Sequence, residues 1–503
     1  MTCAQDKVRK WPAGKSCWWY SVAMNLDADH CYPIVQARDA RFDGVFFVGV
    51  SSTGIYCRPV CTVRTPGRQR CSFFANAASA EAAGFRPCLR CRPELAPGRA
   101  PVDSVRQSAR LLFDAIQSGA LADGNMEDLA TRFGLSSRQL RRIVQAEYGV
   151  NPLAIERTRR LLLAKQLLTD SSLRVVDVAF ACGFASVRQF NRLFVEAYRM
   201  NPSALRRHKA ADSGLGIPLK LGFRGPLAWP ALAGFLAGRG SVRTECLIDG
   251  RYVRTVRLAN HVGWIAVQPE SETVLKVEVS PALLPVLPEL QMRLRRLFDL
   301  DASPLIIDSQ LSANARLKPM IERTPGLRVP GALDGFELAL RAIVGQQVSV
   351  KSATTVFGRF VETFGQVIET PFPMLDRLAP TADAVAAAEL PQLIALGLTG
   401  KRAATVLTLA RAVADKGIIL DPSADAEQVR AQLLALPGIG PWTTEYIAMR
   451  ALGDPDAFPA SDLALMKIMS TEKPKVLQAE AEAWRPWRAY AAIHVWHSLS
   501  AGG

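Results

Sequence analysis

The chain has 503 residues, of which 49% are hydrophobic and 21% charged, and its formal net charge is +15. This length predicts roughly three or four domains rather than one core, and the composition excludes an intrinsically disordered chain. We find neither a run of about 18 apolar residues nor the apolar segment of a secretory signal, so we expect a cytoplasmic protein without a membrane span.

Charge and cysteines are both concentrated towards the N-terminus. Residues 1–210 contain 31 Lys and Arg against 17 Asp and Glu, whereas residues 211–503 contain 30 against 29. A basic region of this size favours a polyanionic partner, most often nucleic acid. All ten cysteines lie before residue 247. Without a signal peptide, clustered thiols are more typical of metal ligands than of disulfides.

Two cysteine pairs define the first predicted unit. Cys57 and Cys61 form a C-x3-C pair, and Cys88 and Cys91 form a C-x2-C pair. Each pair places two sulfurs on one side of an ion, so the spacing predicts one zinc ion at a tetrahedral four-cysteine site. Cys71 lies between the pairs without a close partner, and we leave it out of the site.

The surroundings of these pairs closely resemble the N-terminal domain of the adaptive-response protein Ada, over about residues 32–95. The resemblance implies a small α/β zinc domain, placed at 32–97, in which Cys57 is both a zinc ligand and the acceptor of a methyl group from a DNA methylphosphotriester. Methylation removes one negative charge and, in that family, switches on transcriptional activation. The implied phosphate contacts are Thr53, Arg64 and Arg90.

The preceding residues 1–31 form an N-terminal extension. Residues 1–23 have no counterpart in the Ada resemblance, whereas Met24 begins a stretch more like the usual start of that family. We therefore expect 1–23 to be an over-extended start, which mass spectrometry of the native N-terminal peptide would test.

An internal repeat occupies residues 101–210. The segment 138–144 recurs 50 residues later as 188–194, and a glycine turn precedes each copy. Apolar residues in both copies have helical spacing, and Ser136 and Ser186 stand where helix N-caps belong. The pattern predicts an all-α domain of two helix-turn-helix units.

The second helix of each unit carries side chains suited to a major groove, although a helix pair with a solvated basic face would show the same pattern. The tandem units resemble the AraC-type transcription-factor domain, which implies binding to promoter DNA and, during activation, to RNA polymerase. The candidate contacts are Arg138, Gln139, Arg141 and Arg142 in the first unit, and Arg188, Gln189, Asn191 and Arg192 in the second.

The nearly neutral half starts with partly alternating residues 247–279, which predict β-strands, and turns helical from Leu333 onward. Residues 436–443 form a glycine-rich hairpin between two predicted helices. Such a hairpin points N–H groups at a phosphate, so Gly438 and Gly440 are candidate DNA contacts, with a plain helix C-cap as the alternative. Asp462 follows at a distance typical of helix-hairpin-helix DNA glycosylases.

The wider resemblance, over about residues 216–500, is to AlkA-type 3-methyladenine glycosylases. It implies an α+β subdomain at 216–330 and an all-α helix-hairpin-helix domain at 331–503, with Asp462 as the catalytic carboxylate for hydrolysis of a flipped alkylated base. It also implies an electron-rich pocket for a cationic base, formed by residues that could otherwise be ordinary helix core. The pocket residues are Trp442, Tyr446 and Trp496.

Two absences and one departure from the AlkA pattern narrow this expectation. Trp442 stands where helix-hairpin-helix lyases carry a lysine, so we expect a monofunctional glycosylase. No cysteine follows Cys246, which argues against an iron–sulfur cluster and against the O6-alkylguanine acceptor of Ada. Gln347 stands where AlkA inserts a leucine wedge into the DNA, and we retain Gln347 as a DNA contact.

The sequence therefore predicts a multidomain, mainly α protein with α+β parts that responds to DNA alkylation and repairs it. We expect a monomer that binds alkylated and promoter double-stranded DNA and one zinc ion. The alternative is a methylation-sensing regulator whose glycosylase-like half only binds DNA, and release of free 3-methyladenine distinguishes the two.

Overall fold

The computed structural model describes residues 26–98, 107–122, 125–206 and 214–500, so the predicted over-extended start at 1–23 lies outside it. Within these ranges, no helix combines the length and the apolar character needed to cross a membrane. The described chain forms a small α/β unit, an all-α unit, a five-stranded α+β unit and a helical C-terminal unit. The predicted multidomain, mainly α fold class is confirmed.

A four-stranded sheet with two short helices forms the first unit. The side chain of Asp27 caps the first helix by accepting a hydrogen bond from the backbone N–H of His30 at 2.9 Å, so the fold begins before residue 32. Cys31 on this helix is buried in the same hydrophobic cluster as Phe46. The elements are α1 (Ala28–Ala37), β1 (Phe47–Val50), β2 (Ile55–Cys57), β3 (Cys71–Phe74), α2 (Ala77–Ala82) and β4 (Arg86–Pro87), in the sheet order β3-β1-β2-β4.

Two helix-turn-helix units joined by a long helix form the second unit. Ser136 and Ser186 cap the second helix of each unit, as the sequence predicts, and their hydroxyl oxygens accept from the backbone N–H groups of Gln139 and Gln189 at 3.3 and 3.1 Å. The helices are α3 (Gln107–Gln117), α4 (Met126–Arg132), α5 (Ser137–Tyr148), α6 (Pro152–Asp170), α7 (Val175–Ala181), α8 (Val187–Tyr198) and α9 (Pro202–Leu205).

An antiparallel sheet forms the third unit, which confirms the strands predicted between residues 247 and 279. One face of this sheet is buried through Tyr252, Ile265 and Val277, which explains the partial alternation of the sequence. The elements are β5 (Ile217–Gly222), α10 (Trp229–Ala237), β6 (Glu245–Ile248), β7 (Arg251–Leu258), β8 (His261–Ser271), β9 (Val274–Val279) and α11 (Leu287–Leu297), in the sheet order β5-β9-β8-β7-β6.

The fourth unit is helical, and its core includes residues from 302 onward, ahead of the predicted start at 331. Phe336, Leu340 and Ile343 are buried, as their helical spacing predicts. The helices are α12 (Pro304–Leu311), α13 (Lys318–Arg323), α14 (Gly335–Val344), α15 (Val350–Phe364), α16 (Ala382–Ala386), α17 (Leu390–Ala395), α18 (Gly400–Ala414), α19 (Ala426–Ala435), α20 (Pro441–Arg450), α21 (Leu463–Ile468), α22 (Pro474–Ala481) and α23 (Arg488–Ser500).

Candidate zinc, DNA-binding and glycosylase sites

The four predicted zinc ligands meet at one point. The sulfur atoms of Cys57, Cys61, Cys88 and Cys91 all lie within 4.8 Å of one another, and the first three side chains are buried. Because four thiolates this close repel one another, the donor set fits a divalent cation with a preference for sulfur, such as zinc. Cys71 lies on β3 and takes no part in this cluster, as expected.

Backbone N–H groups support the sulfur atoms. Those of Arg90 and Cys91 point at the Cys88 sulfur at 3.3 and 3.5 Å, and that of Arg58 points at the Cys91 sulfur at 3.4 Å. The Arg58 guanidinium is fixed in turn, because its Nε donates to Oδ1 of Asp43 at 2.8 Å. Donors around the sulfurs favour the thiolate form that metal binding needs.

The predicted phosphate contacts of this unit are at the surface. Thr53, Arg64 and Arg90 are all exposed, and each lies within four residues of a cysteine of the cluster. Cys57 itself is only 7% exposed. Basic and hydroxyl groups close in sequence to a nearly buried sulfur are suited to binding a phosphate backbone beside it.

Helices α5 and α8 present the predicted basic faces to solvent. Arg138, Arg142, Arg188 and Arg192 are exposed, as are Arg141 and Asn191. The two glutamines have a second role, because the side-chain carbonyl of Gln139 accepts from the backbone N–H of Ser136 at 2.9 Å and that of Gln189 accepts from the backbone N–H of Ala185 at 3.3 Å. Their NH₂ groups remain as potential donors to a base.

The glycine hairpin connects α19 to α20. Gly438 has a φ of +88°, and a Cβ atom added there would lie 2.1 Å from the Thr405 hydroxyl, whereas Gly440 has an ordinary φ of −102° and open space around it. The side chain of Gln346 braces the hairpin by donating to the Gly438 carbonyl at 3.1 Å and to the Thr443 hydroxyl at 3.0 Å. Gly438 is therefore needed by the fold, whereas Gly440 leaves room for a ligand.

The three residues predicted for the base pocket and the predicted catalytic carboxylate lie together. Trp442 and Tyr446 on α20 stack with ring centroids 5.2 Å apart and planes 10° from parallel, and Trp496 on α23 lies 6.1 Å from Tyr446. Asp462, which also caps α21, accepts from the indole N–H of Trp442 at 2.7 Å and of Trp496 at 3.1 Å. A carboxylate fixed against three aromatic rings suits a site for a cationic base.

Arg450 lies behind this pocket and is a residue that the sequence patterns did not single out. It is 6% exposed, and its guanidinium donates to the Tyr446 hydroxyl and to the Pro330 carbonyl, the latter at 2.7 Å. It also lies 5.0 Å from the ring of Phe235, which Arg239 covers at 3.6 Å. Spacing on α20 could have pointed to Arg450, because it is four residues after Tyr446 and shares its helix face.

Gln347 occupies the loop between α14 and α15. It is exposed and has a φ of +53°, a left-handed conformation that is uncommon for a residue with a side chain. The next residue, Val348, is 38% exposed. This exposed loop lies next to Gln346, which braces the hairpin, so Gln347 and the hairpin are on neighbouring parts of the surface.

The chain is similar to known proteins along most of its length. Family models match for the metal binding domain of Ada over residues 30–94, a helix-turn-helix domain over 129–208, the AlkA N-terminal domain over 218–334, and the HhH-GPD superfamily base excision DNA repair proteins over 340–489. The chain is 39% identical to a probable bifunctional transcriptional activator/DNA repair enzyme AlkA from Mycobacterium tuberculosis, covering 95% of this chain and 97% of the relative.

Two further proteins match the C-terminal half. The chain is 33% identical to DNA-3-methyladenine glycosylase 2 of Escherichia coli, covering 55% of this chain and 96% of the relative. Among solved structures, a 3-methyladenine DNA-glycosylase from Archaeoglobus fulgidus superposes with a TM-score of 0.49 at 20% identity, covering 55% of this chain and 96% of that one.

The four matched domains define a DNA alkylation repair protein with a regulatory role, which has glycosylase activity and binds DNA and one zinc ion at its four-cysteine site. The first comparison spans nearly the whole of both chains. The chain therefore belongs to the family of bifunctional transcriptional activator/DNA repair enzymes.

Proposed function

We propose that the C-terminal half hydrolyses the N-glycosidic bond of alkylated bases such as 3-methyladenine, with Asp462 as the catalytic carboxylate. The observation that carries this proposal is the position of the carboxylate. Both of its oxygens accept indole N–H groups, from Trp442 and Trp496, beside the stacked rings of Trp442 and Tyr446.

The chemistry follows from the charge of the substrate. A base methylated at a ring nitrogen is cationic, and the aromatic faces of Trp442 and Tyr446 attract it once it has left the stack. The bond from the sugar C1′ to the base nitrogen breaks, its electron pair moves to the base, and the base leaves neutral. The negative charge of Asp462 stabilises the positive sugar, which then bonds to a water molecule that loses a proton.

Release of free 3-methyladenine from methylated duplex DNA tests this assignment. We expect Asp462→Asn, which preserves size but removes the charge, to slow release by about 100-fold or more. Asp415→Asn, at an exposed position at the end of α18, is the matched control and should leave the rate unchanged. No release by the wild type would instead favour a regulator whose C-terminal half only binds DNA, and undiminished release by Asp462→Asn would remove the role of Asp462.

We propose that Cys57 accepts the methyl group of a DNA methylphosphotriester. A bond forms between its sulfur and the methyl carbon while the bond from that carbon to the phosphate oxygen breaks. The electron pair stays on the oxygen, and the normal diester is restored. Zinc, when bound, keeps the sulfur in its thiolate form, and the exposed Thr53, Arg64 and Arg90 are the groups that would hold the phosphate backbone.

Transfer of a radiolabelled methyl group from phosphotriester DNA to the protein tests this role. We expect Cys57→Ala to abolish labelling and to weaken zinc binding, because it removes both the acceptor and one ligand. Cys71→Ala, which changes a thiol outside the cluster, should be labelled like the wild type. Labelling that persists in Cys57→Ala would assign the acceptor elsewhere.

We infer that the methylated protein activates transcription as a monomer, with α5 and α8 on promoter DNA and a contact to RNA polymerase. The exposed arginines of the two helices support the DNA contact. Analytical ultracentrifugation of the methylated protein on promoter-length duplexes would test the stoichiometry, and two copies per duplex of minimal length would contradict it.

A further inference from the structure

The small α/β unit with the four-cysteine site (the zinc unit) contacts the helix-turn-helix unit (the regulatory unit) next to one of the predicted zinc ligands. Lys165 on α6 is 2% exposed, and its Nζ donates to the carbonyl of Cys88 at 3.1 Å and to Glu94 at 2.6 Å. Arg92 pairs with Asp170 at the end of the same helix at 2.7 Å. The loop that carries the second cysteine pair is therefore anchored to the long helix between the two helix-turn-helix units.

A second contact joins the zinc unit to the glycosylase half through Arg224, which follows β5. Arg224 is 3% exposed, and its guanidinium donates at 2.7 Å to each of the carbonyls of Asp43, Gly98 and Asp301. Asp301 returns a bond, since its carboxylate accepts from the backbone N–H of Gly98 at 2.7 Å. One buried side chain thus joins the zinc unit, the segment that follows it and the third unit.

Asp43 carries this contact to the metal ligands. Its carbonyl is held by Arg224, while its side chain pairs with Arg58, the residue directly after the ligand Cys57. Arg58 also donates to the carbonyl of Cys91 at 3.2 Å. Both cysteine pairs are therefore linked through Arg58 to Asp43, whose carbonyl is bound by the glycosylase half.

The zinc unit and β5 are also closely packed at this contact. A Cβ atom added at Gly222, the last residue of β5, would lie 1.8 Å from the carbonyl oxygen of Leu95. No side chain fits at this position while the zinc unit stays docked.

We call the contacts of Arg224 and Gly222 with the zinc unit the Arg224 seam. Further buried groups connect this seam to α23, the helix that carries Trp496. Arg328, 1% exposed, donates to the Arg224 carbonyl and to the Asp299 carbonyl, the latter at 3.0 Å. The carboxylate of Asp299 accepts from the Tyr490 hydroxyl at 2.6 Å, and Tyr490 lies on α23 with Trp496.

We propose that the docked zinc unit is a structural part of the glycosylase half, so that zinc binding at the sensor stabilises the base-excision domain through the Arg224 seam. Zinc fixes the cysteine loops, and those loops position Asp43 for Arg224. Coupling between two sites is reciprocal, so loss of the metal must weaken the seam and loss of the seam must weaken metal binding. This inference goes beyond the proposed roles of Cys57 and Asp462 and does not depend on either.

Thermal unfolding of the whole chain with and without zinc tests the proposal. No tryptophan lies between residues 20 and 228, and six of the nine lie in 229–496, so tryptophan emission reports mainly on the glycosylase half. We expect removal of zinc by a chelator to lower the wild-type midpoint by about 3 °C or more and to slow base release. The unfolding measurement holds whether or not the half excises bases.

Two variants cut the seam by different means. Arg224→Ala removes its hydrogen bonds, and Gly222→Ala forces the zinc unit away while β5 keeps its backbone pairing. In both we expect zinc removal to move the tryptophan midpoint by less than about 1 °C, whereas Arg251→Ala, on β7 of the same sheet, should respond like the wild type. The proposal would be overturned if zinc removal left the wild-type midpoint unchanged. It would also be overturned if zinc removal shifted the midpoint of Gly222→Ala as much as that of the wild type. If Arg224→Ala does not fold, Gly222→Ala alone provides the test.

Discussion

Arg450 is a buried charge that affects both the pKa and the position of Tyr446, a residue of the predicted base pocket. Burial alone would raise the pKa of the Tyr446 phenol, but the positive charges of Arg450 and Arg239 outweigh it and hold that pKa below its ordinary value. Arg450 also ties α20 to the loop before α14 through the carbonyls of Pro330 and Gly331. The Tyr446 ring, which we propose to contact the base, is therefore fixed in position and made easier to ionise by the same side chain.

Replacement of this charge by a chain of similar length has a definite expected result. In Arg450→Met the phenol stays buried but loses its nearest cation, so the pKa of Tyr446 should rise. Two buried carbonyls lose their donor as well, and we expect the free energy of unfolding to fall by about 2 kcal/mol. Ultraviolet titration of tyrosine ionisation, with Tyr446→Phe as the reference that identifies this phenol, measures the shift. An unchanged titration in Arg450→Met would contradict the account.

Residues differ in how far the sequence alone could locate them. Trp442 and Tyr446 are four apart after a glycine hairpin, so helical geometry alone places them on one face. The partners of Arg450 lie 120 and 119 residues earlier in the chain, and no local spacing carries such a contact. The role of Arg450 could therefore be identified only from the structure.

The hairpin between α19 and α20 contains two glycines, Gly438 and Gly440, whose surroundings differ. Gly438 has a positive φ and no room for a Cβ atom beside Thr405, so the fold requires it. Gly440 has neither constraint: it is the N-cap of α20 with open space around it, and we propose that a DNA phosphate approaches the backbone there.

The two alanine variants should therefore fail differently. Gly438→Ala should lower the free energy of unfolding by about 1–3 kcal/mol, since it adds both backbone strain and a clash. Gly440→Ala should unfold like the wild type yet bind alkylated duplex DNA more weakly, by about tenfold. Thermal unfolding and fluorescence anisotropy on the same two proteins make the comparison. Equal DNA affinity for Gly440→Ala and the wild type would exclude a phosphate at this position.

Capping and strand patterns were the most predictable elements. Ser136 and Ser186 cap their helices because a serine directly before a helical apolar pattern satisfies the free N–H groups of the first turn. The contacts between units were not predictable, because Lys165 and Arg224 bind backbone carbonyls, which every residue offers and no sequence pattern marks.

The N-terminal and C-terminal halves of the molecule differ strongly in net charge. Residues 1–210 carry an excess of 14 positive charges and residues 211–503 an excess of one. The first half can therefore attract DNA over a long range, whereas in the second half the proposed contacts are a hairpin, a pocket and the exposed loop at Gln347. Binding through phosphate neutralisation releases counterions and weakens steeply with salt, and binding through shape and stacking does so much less.

This division predicts how salt affects each half within the intact chain. We expect removal of four exposed arginines from α5 and α8 to flatten the dependence of duplex affinity on salt, by about 0.9 in the logarithmic slope for each phosphate that the variant no longer neutralises, and to leave base release at saturating DNA unchanged. A control that removes four exposed charges from the C-terminal half should flatten the slope less. The first variant replaces Arg138, Arg142, Arg188 and Arg192 with alanine, and the control replaces Lys318, Arg323, Arg411 and Lys475.

Anisotropy titrations of an unmodified duplex at several salt concentrations measure the slopes, and release of 3-methyladenine from a methylated duplex measures the activity. Because both variants lose the same formal charge, a difference between their slopes reflects where phosphates bind rather than the net charge of the protein. Equal slopes would mean that the basic N-terminal excess acts only as a diffuse field, and the helix-turn-helix arginines would then lose their assigned role as phosphate and base contacts.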